Sequence, residues 1–459
     1  MQWPTFAVAE QGILIKDAPT TPTRQRRRIG RRLAFVLLLG LFVPVWCCYA
    51  WYQTAVETPL VQIPNPVLPI PNGFDTLCAA GNQLLDPRKI GYAVASTHGK
   101  SDKDDRAYTP EEQIQFVQEN SKSLKLLRKA LSEQYCNPPV RSGSIYFPYY
   151  PKYRQLACLL QLDAHAMARH HDYGGAISSA LDAMEMGELI QHGSTLFGGS
   201  AGQLCQAIGR ISAWECVDHL SADQARRALR RLEAIQQHQV KFWTLLQEEK
   251  WSGQANLLEV FRTPAYVVPV AMNSSEADLT TDPRLHPAIA GLFYLRYSKR
   301  QAMEEYTATL DRAIASAKLP YHPSMSDDPE PYNPLVRIMG TTSYRARFAY
   351  VKAESENDLL AITLAIRAYR LTRGHIPNAL SELRPEYLKT LPSDPFGPGK
   401  PFNYRPLAKD YLLYSIGPDG KDDGGTAIDK GSERYSGSKY RYAVSYDSKG
   451  DIVAKKNTW

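Results

Sequence analysis

Chemistry needs clustered donors, and three stretches of this chain offer them. The first is YSIGPDGKDDGG, Tyr414 to Gly425, with three aspartates and four glycines in twelve residues. Calcium takes several hard oxygen ligands on a bent backbone, so an acidic, glycine-rich loop is a segment that can hold it. The EF-hand pattern does not fit from Asp419 onward, because Lys421 falls at position 3 and Lys430 at position 12. A second reading is conformational: Asp-Gly and Gly-Gly supply the positive-φ positions of tight turns between strands. The residues alone leave both open.

The second stretch is GGSAG, Gly198 to Gly202, which matches G-x-S-x-G with Ser200 as nucleophile. That elbow requires a buried strand before it and a helix after. ALDAMEMGELIQHGSTLF precedes it and has the pattern of a helix and a loop. A triad would need His219, His238 or His286 brought in by the fold. The competing reading is a small-residue helix start that permits close packing. The third stretch, DAHAMARHHD, offers Asp163, His165, His170, His171 and Asp172. Metal ligands on one helix face recur at about three or four residues, whereas His165 and His170 are five apart. It reads as the polar end of a helical hairpin.

The elements that must position these residues are mostly helical. TPEEQIQFVQENSKSLKLLRKALSEQY repeats apolar residues at Ile114, Val117, Leu124, Leu127 and Leu131, with Thr109 as cap and Pro110 at the first position. PKYRQLACLLQLDAHAMARHHDYGGAISSALDAMEMGELI predicts two helices around HHDYGGA, a turn that resembles one of the tetratricopeptide type. ADQARRALRRLEAIQQHQVKFWTLLQEE and HPAIAGLFYLRYSKRQAMEEYTATLDRAIASAKL predict long amphipathic helices. After Gly374 the pattern changes to turns, and DYLLYSIG and YRYAVSYD alternate like strands.

The charge is uneven. Residues 1–32 hold seven cations against two acids, which leaves only +2 of the net +7 for the rest of the chain. No basic patch with interleaved aromatics argues for nucleic acid. The arginines run into LAFVLLLGLFVPVWCCYAWY, Leu33 to Tyr52, twenty uncharged residues and about 30 Å as a helix. Trp46, Tyr49, Trp51 and Tyr52 gather at its far end, where amphipathic rings favour the interface. The expectation is a single transmembrane helix with a cytoplasmic N-terminus and the bulk of the chain extracytoplasmic. A signal peptide cut after Ala50 is the competing reading. Five prolines in residues 53–73 predict an extended spacer off the membrane surface.

Beyond the span stand Cys78, Cys136, Cys158, Cys205 and Cys216, an odd number with no CxxC pair. The last three lie in apolar helical patterns and are expected as buried thiols. Cys78 and Cys136 are a candidate bridge.

A helix ending in LAIRAYRLTRGHIPNALSELRPEYLKTLPSDPFGPGKPFNY, followed by YLLYSIGPDGKDDGG, resembles the globular head of the major pseudopilin of type II secretion systems. The corresponding residues are Gly374–Pro377, Leu391–Tyr404 and Ser415–Gly425. The resemblance implies one long helix packed on a small antiparallel sheet, with calcium held by aspartates and carbonyls of the loop after the strand. Carried over by position, Asp419 matches the aspartate of the DG turn and Asp429 a later ligand, with Asp422 and Asp423 as additional candidates. The layout as a whole also resembles single-pass bacterial membrane proteins with such a tail.

The expected fold is therefore mainly α. It comprises a basic tail (1–32), a transmembrane helix (33–52), a Pro-rich linker (53–73), a body of tetratricopeptide-like hairpins (74–340), and a long helix with a small sheet (341–459). The expected role is a binding or scaffold module anchored in the inner membrane and facing a protein or peptide partner in the cell envelope, without catalysis. The alternatives are an accessory component of a type II secretion or pilus-like system, and an extracytoplasmic serine hydrolase using Ser200.

Overall fold

The computed structural model describes residues 40, 42–51, 57–97, 108–141, 147–272, 282–322, 330–340, 343–431 and 439–458. Residues 42–51 are helical (α1). The basic tail lies outside the described residues, as do residues 33–39, 41 and 52 of the expected span. Among the described residues no helix is long and apolar enough to cross a membrane.

Residues 57–72 form neither helix nor strand. They do not stand off as a spacer. Val61 packs on a hydrophobic core of the body, and the Arg141 guanidinium donates to the Pro64 carbonyl at 3.1 Å. The segment is a strap across the body.

Among its described residues the body is built of helices joined by turns and loops. Its first part comprises α2 (Gly73–Asn82), α3 (Pro87–Thr97), α4 (Pro110–Glu119) and α5 (Ser121–Leu131). Thr109 and Glu112 form a reciprocal capping box at the start of α4. The apolar repeat through Leu131 is broken at Asn120, whose side chain accepts from the Leu85 N–H at 2.8 Å and donates to the Phe116 carbonyl. Next come α6 (Tyr150–Arg169), α7 (Tyr173–Leu189) and α8 (Leu196–Val217), which pack on one another. Asp172 caps α7 by accepting from the Gly175 N–H, closing the expected turn.

Two expected long helices are each divided. The first is cut between α9 (Ala222–Gln237) and α10 (Phe242–Arg262), where the Val240 N–H points at Glu188. After α11 (Val268–Ala271), the second is cut between α12 (His286–Arg296) and α13 (Lys299–Ala317), where Ser298 caps α13. The short α14 (Pro334–Ile338) leads to α15 (Ser343–Arg373), 31 residues and about 46 Å long.

Leu359, Leu360, Ile362, Leu364, Ala365, Ile366 and Ala368 make the middle of α15 apolar on every side, and all are buried. A helix with no polar face must be covered all round. α8 and α9 cover it from the body, and the C-terminal sheet from the tail. One core therefore runs unbroken from Ala164 on α6 to Ile452 in the tail.

The sheet has three antiparallel strands, β1 (Asn403–Pro406), β2 (Tyr411–Ser415) and β3 (Ile452–Val453), in the order β1-β2-β3. YRYAVSYD does not form a strand. The Arg441 carbonyl accepts from the Lys430 N–H and the Tyr442 carbonyl from the Asn457 amide, so its backbone is spent on turns. Residues 452–453 pair with β2 instead.

All five cysteines beyond α1 are free thiols. Cys158, Cys205 and Cys216 are buried, as expected. The Cys78–Cys136 bridge is not formed: Cys78 Sγ lies 3.3 Å from the Tyr153 hydroxyl, and Cys136 Sγ points at the Asn137 carbonyl.

Candidate functional site

The aspartate loop leaves β2 through Gly417, at φ +72, where a Cβ would stand 2.4 Å from the Gly450 carbonyl oxygen. Only glycine lets the chain pass there. Two buried carboxylates lie beneath. Asp394 accepts from the Ser415 hydroxyl at 2.7 Å and from the Ile416 and Phe396 N–H groups at 2.9 and 3.0 Å. Asp451 is 0% exposed and accepts from the Gly425 N–H at 2.8 Å and the Asp423 N–H at 3.3 Å. Burial pushes both carboxyls above the ordinary range, and repulsion from Asp422 and Asp423 adds to the shift at Asp451.

The four aspartates singled out in the sequence are spread around this loop. Asp419 accepts from the Lys421 N–H, within its own turn. Asp422 accepts from the Tyr414 hydroxyl at 3.0 Å and the Gly424 N–H at 2.9 Å. The Asp423 N–H donates to Asp451, and the Asp423 carbonyl accepts from the Thr426 hydroxyl. Asp429 is gripped by Arg441 through two bonds of 2.7 and 2.6 Å, which with the Gly431 N–H holds its carboxyl down at about 2.

Of the four, Asp429 is paired with Arg441 and Asp419 closes its own turn. Among the described residues no three His, Cys, Asp or Glu side chains are grouped to hold a metal ion. Asp422 and Asp423 each lie near enough to Asp451 to act on its charge. Asp451 and Asp394 were missed in the sequence, although each stands in a turn context, KGDIV and SDPFG.

Ser200 lies on the first turns of α8, and its hydroxyl donates to the Leu196 carbonyl at 2.9 Å. The residues before the helix are a turn rather than a strand. Gly202 has a packing role: its Cβ would stand 2.4 Å from the Gly187 carbonyl oxygen, and a Cβ on Gly187 would stand 2.5 Å from that of Gly202. The two glycines let α7 and α8 cross in backbone contact. Ser200 faces a groove of 510 Å³ lined by Phe147, Phe197, Glu249, Tyr306, Ile338 and Met339 among others. No histidine lines it among the described residues. Glu249 accepts from the Leu196 N–H, and burial raises its carboxyl.

The histidine stretch is likewise dispersed. Asp163 pairs with Arg128, His165 with Glu215 at 2.8 Å, and Asp172 is the cap of α7.

A second polar assembly, unmarked by any motif, runs through the body. Glu188 on α7 accepts from the Val240 N–H at 2.6 Å and the Gln206 amide at 2.8 Å. Gln206 accepts from Asn357, Asn357 accepts from Arg210, and Arg210 pairs with Glu356, which also meets Lys352 at 2.7 Å. Burial pushes the Glu188 carboxyl up to about 7. Burial also opposes ionisation of Glu356, but Lys352 and Arg210 outweigh it and hold that carboxyl below its usual range.

No family model matches the chain, and no curated protein or solved structure matches it.

Proposed function

We propose that the chain is a membrane-anchored protein whose helical body binds an apolar protein or peptide segment on the extracytoplasmic side and carries out no reaction of its own. One observation carries the anchor. Phe42, Val43, Val45, Trp46, Tyr49 and Trp51 are each half or more exposed on α1. So many large apolar side chains on one short helix require an apolar surrounding, and the arginines before them set its orientation. The groove beside Ser200 supports the binding role. Its lining is largely apolar, Phe197 and Ile338 are 58% and 69% exposed, and its one acid is Glu249. The hairpin of α6 and α7, with its tetratricopeptide-like turn, is of a kind that presents such grooves to extended or helical partners. In this reading the pseudopilin-like tail is a structural cap on α15.

The test is alkaline carbonate extraction of membranes containing the full chain, with protease added from either side. An anchored protein stays in the pellet and loses its body only to protease on the extracytoplasmic face. Release by carbonate would remove the anchor from the proposal. For the groove, Phe197→Asp and Ile338→Asp should abolish cross-linking to envelope partners without changing the unfolding midpoint.

Calcium is a second reading, and the repulsion that Asp422 and Asp423 exert on the buried Asp451 carboxyl is what favours it. A divalent ion there would relieve their repulsion and bind only the folded state, raising the thermal midpoint. Millimolar calcium after chelator should then raise the midpoint of the full chain, and Asp422→Ala should cancel the rise. An unchanged midpoint leaves the loop as a turn closed on Asp451.

A further inference from the structure

We infer that the lobe formed by α11, α12 and the turns Pro264–Tyr266 and Pro283–Leu285 lies against the bilayer that holds α1, as a second, interfacial membrane contact. The inference rests on the anchor proposed above.

The first ground is the helix itself. HPAIAGLFYLR has no charged residue between His286 and Arg296. Ala290, Phe293 and Tyr294 fill its inner face. Its outer surface carries no compensating polar residues: Leu292 is 69% exposed and Leu285, just before the helix, 54%. Tyr266 and Met272, on the segments packed against α12, are also more than half exposed. An ordinary surface helix alternates an apolar stripe with a polar face, and one that is apolar all round needs cover on both sides. Among the described residues, protein covers only one side of α12.

The second ground is position. The strap fixes where the chain arrives from α1. Glu57 to Val61 lie along α13 beside Arg300, Met303, Glu304 and Thr307, and Glu57 is close enough to Arg300 to act on its charge. Arg300 follows the end of α12 by four residues. Five residues separate Trp51 from Glu57, and those six Cα-to-Cα steps reach at most about 22 Å. A bilayer that takes in α1 therefore cannot lie far from the C-terminal end of α12. The strap keeps the body close to the membrane, where the expected spacer would have freed it.

The third ground is charge. Among the described residues Arg262, Arg284 and Arg296 are exposed on and beside this lobe, against Asp282, while Glu276 and Asp278 of the segment before it lie outside the described residues. Apolar side chains framed by arginine suit a helix lying in the headgroup region of an anionic bilayer, with its apolar side towards the acyl chains. The occupant is a lipid surface bearing phosphate headgroups.

The experiment uses the full chain in liposomes of phosphatidylethanolamine and phosphatidylglycerol, with a benzophenone amino acid in place of Leu292 and, separately, of Leu285. Both sites are exposed, so neither replacement disturbs a core. Irradiation should give lipid adducts at both positions, detected by mass. Arg284→Glu with Arg296→Glu should lower the yield at least fivefold, at about 1 kcal/mol per basic residue near an anionic surface. Carbonate extraction is run on the same liposomes. No lipid adduct from a chain that stays in the pellet overturns the lobe contact and leaves the anchor intact. A cross-link to a second copy shows that the surface is a protein interface and overturns it too. Release by carbonate removes the anchor, and this inference with it.

Discussion

Glu188 and Glu356 lie at opposite ends of one buried chain of side chains, 4% and 2% exposed, yet their acidities move apart. Burial penalises the charge of both. Glu188 takes its hydrogen bonds from neutral donors, the Val240 N–H and the Gln206 and Gln191 amides, with weaker pulls from Lys241 and His238, and its carboxyl rises to about 7. Glu356 is met by Arg210 and Lys352, and its carboxyl falls. The difference shows that partner charge, rather than depth, decides which buried acids in this body stay ionised. It also gives the two regions opposite responses to pH. A carboxyl raised in the folded state weakens the fold as pH rises from its ordinary value to its raised one. A carboxyl lowered in the folded state lends stability above its ordinary value and loses it as pH falls through the lowered one.

The largest effect should come from breaking the ionised end. Arg210→Met leaves Glu356 buried with Lys352 alone and Asn357 without its donor. Removing one partner of a buried pair costs about 3–5 kcal/mol, and urea unfolding at pH 7 would measure it. The loss should shrink at low pH, where Glu356 takes up a proton and no longer needs the guanidinium. A loss that is constant between pH 7 and pH 3 would mean that Arg210 acts through packing.

The neutral end gives the next effect, with the opposite sign. Between pH 5 and pH 8 Glu188 must ionise in the fold at a cost of roughly 3 kcal/mol, from a shift of 4.5 to about 7. Glu188→Gln removes that cost, so the variant should gain on the wild type by about this amount as pH rises through the window. Parallel stability profiles would show that Glu188 is already ionised at pH 5.

Neither end was legible in the sequence. Glu188 is one of the two acids in MEMGELI, on a helix, and nothing nearby marks Val240, 52 residues later, as its donor. The same long-range bond explains why the α9–α10 break was missed: HQV is compatible with a helix until the Val240 N–H finds Glu188. Asn120 repeats the case, because Leu85 supplies what holds it. Local signals were read correctly where the physics is local, as in the capping box of Thr109 and Glu112 and the turn capped by Asp172. The tail was readable in outline, a long helix against a small antiparallel sheet. The choice of YRYAVSYD over Ile452–Val453 went wrong because alternation cannot reveal which segment finds an edge of β2. At the candidate loop the visible aspartates lie on the surface, and the two that organise it, Asp394 and Asp451, are buried.

The smallest effect concerns how the tail is held to the body. Lys455 meets Asp218 at 2.8 Å, an exposed ion pair with side chains 38% and 63% accessible. It is a direct charge contact between tail and body, and the contrast with Arg210 and Glu356 predicts that it matters little. In water the Coulomb gain is screened and partly offset by ordering two flexible side chains, so such pairs contribute about 0–1 kcal/mol. Lys455→Ala keeps an L-residue at the same left-handed φ of 65°, so the backbone there is unchanged. Its unfolding midpoint should stay within about 1 kcal/mol of the wild type. Hydrogen exchange in β2 and β3 should also be unaltered, because Leu413, Ile416, Ile428 and Ile452 share one core with α15 and carry the attachment. Faster exchange confined to the sheet would instead mean that the surface charge fastens the tail, and that the core beneath it is weaker than its burial implies.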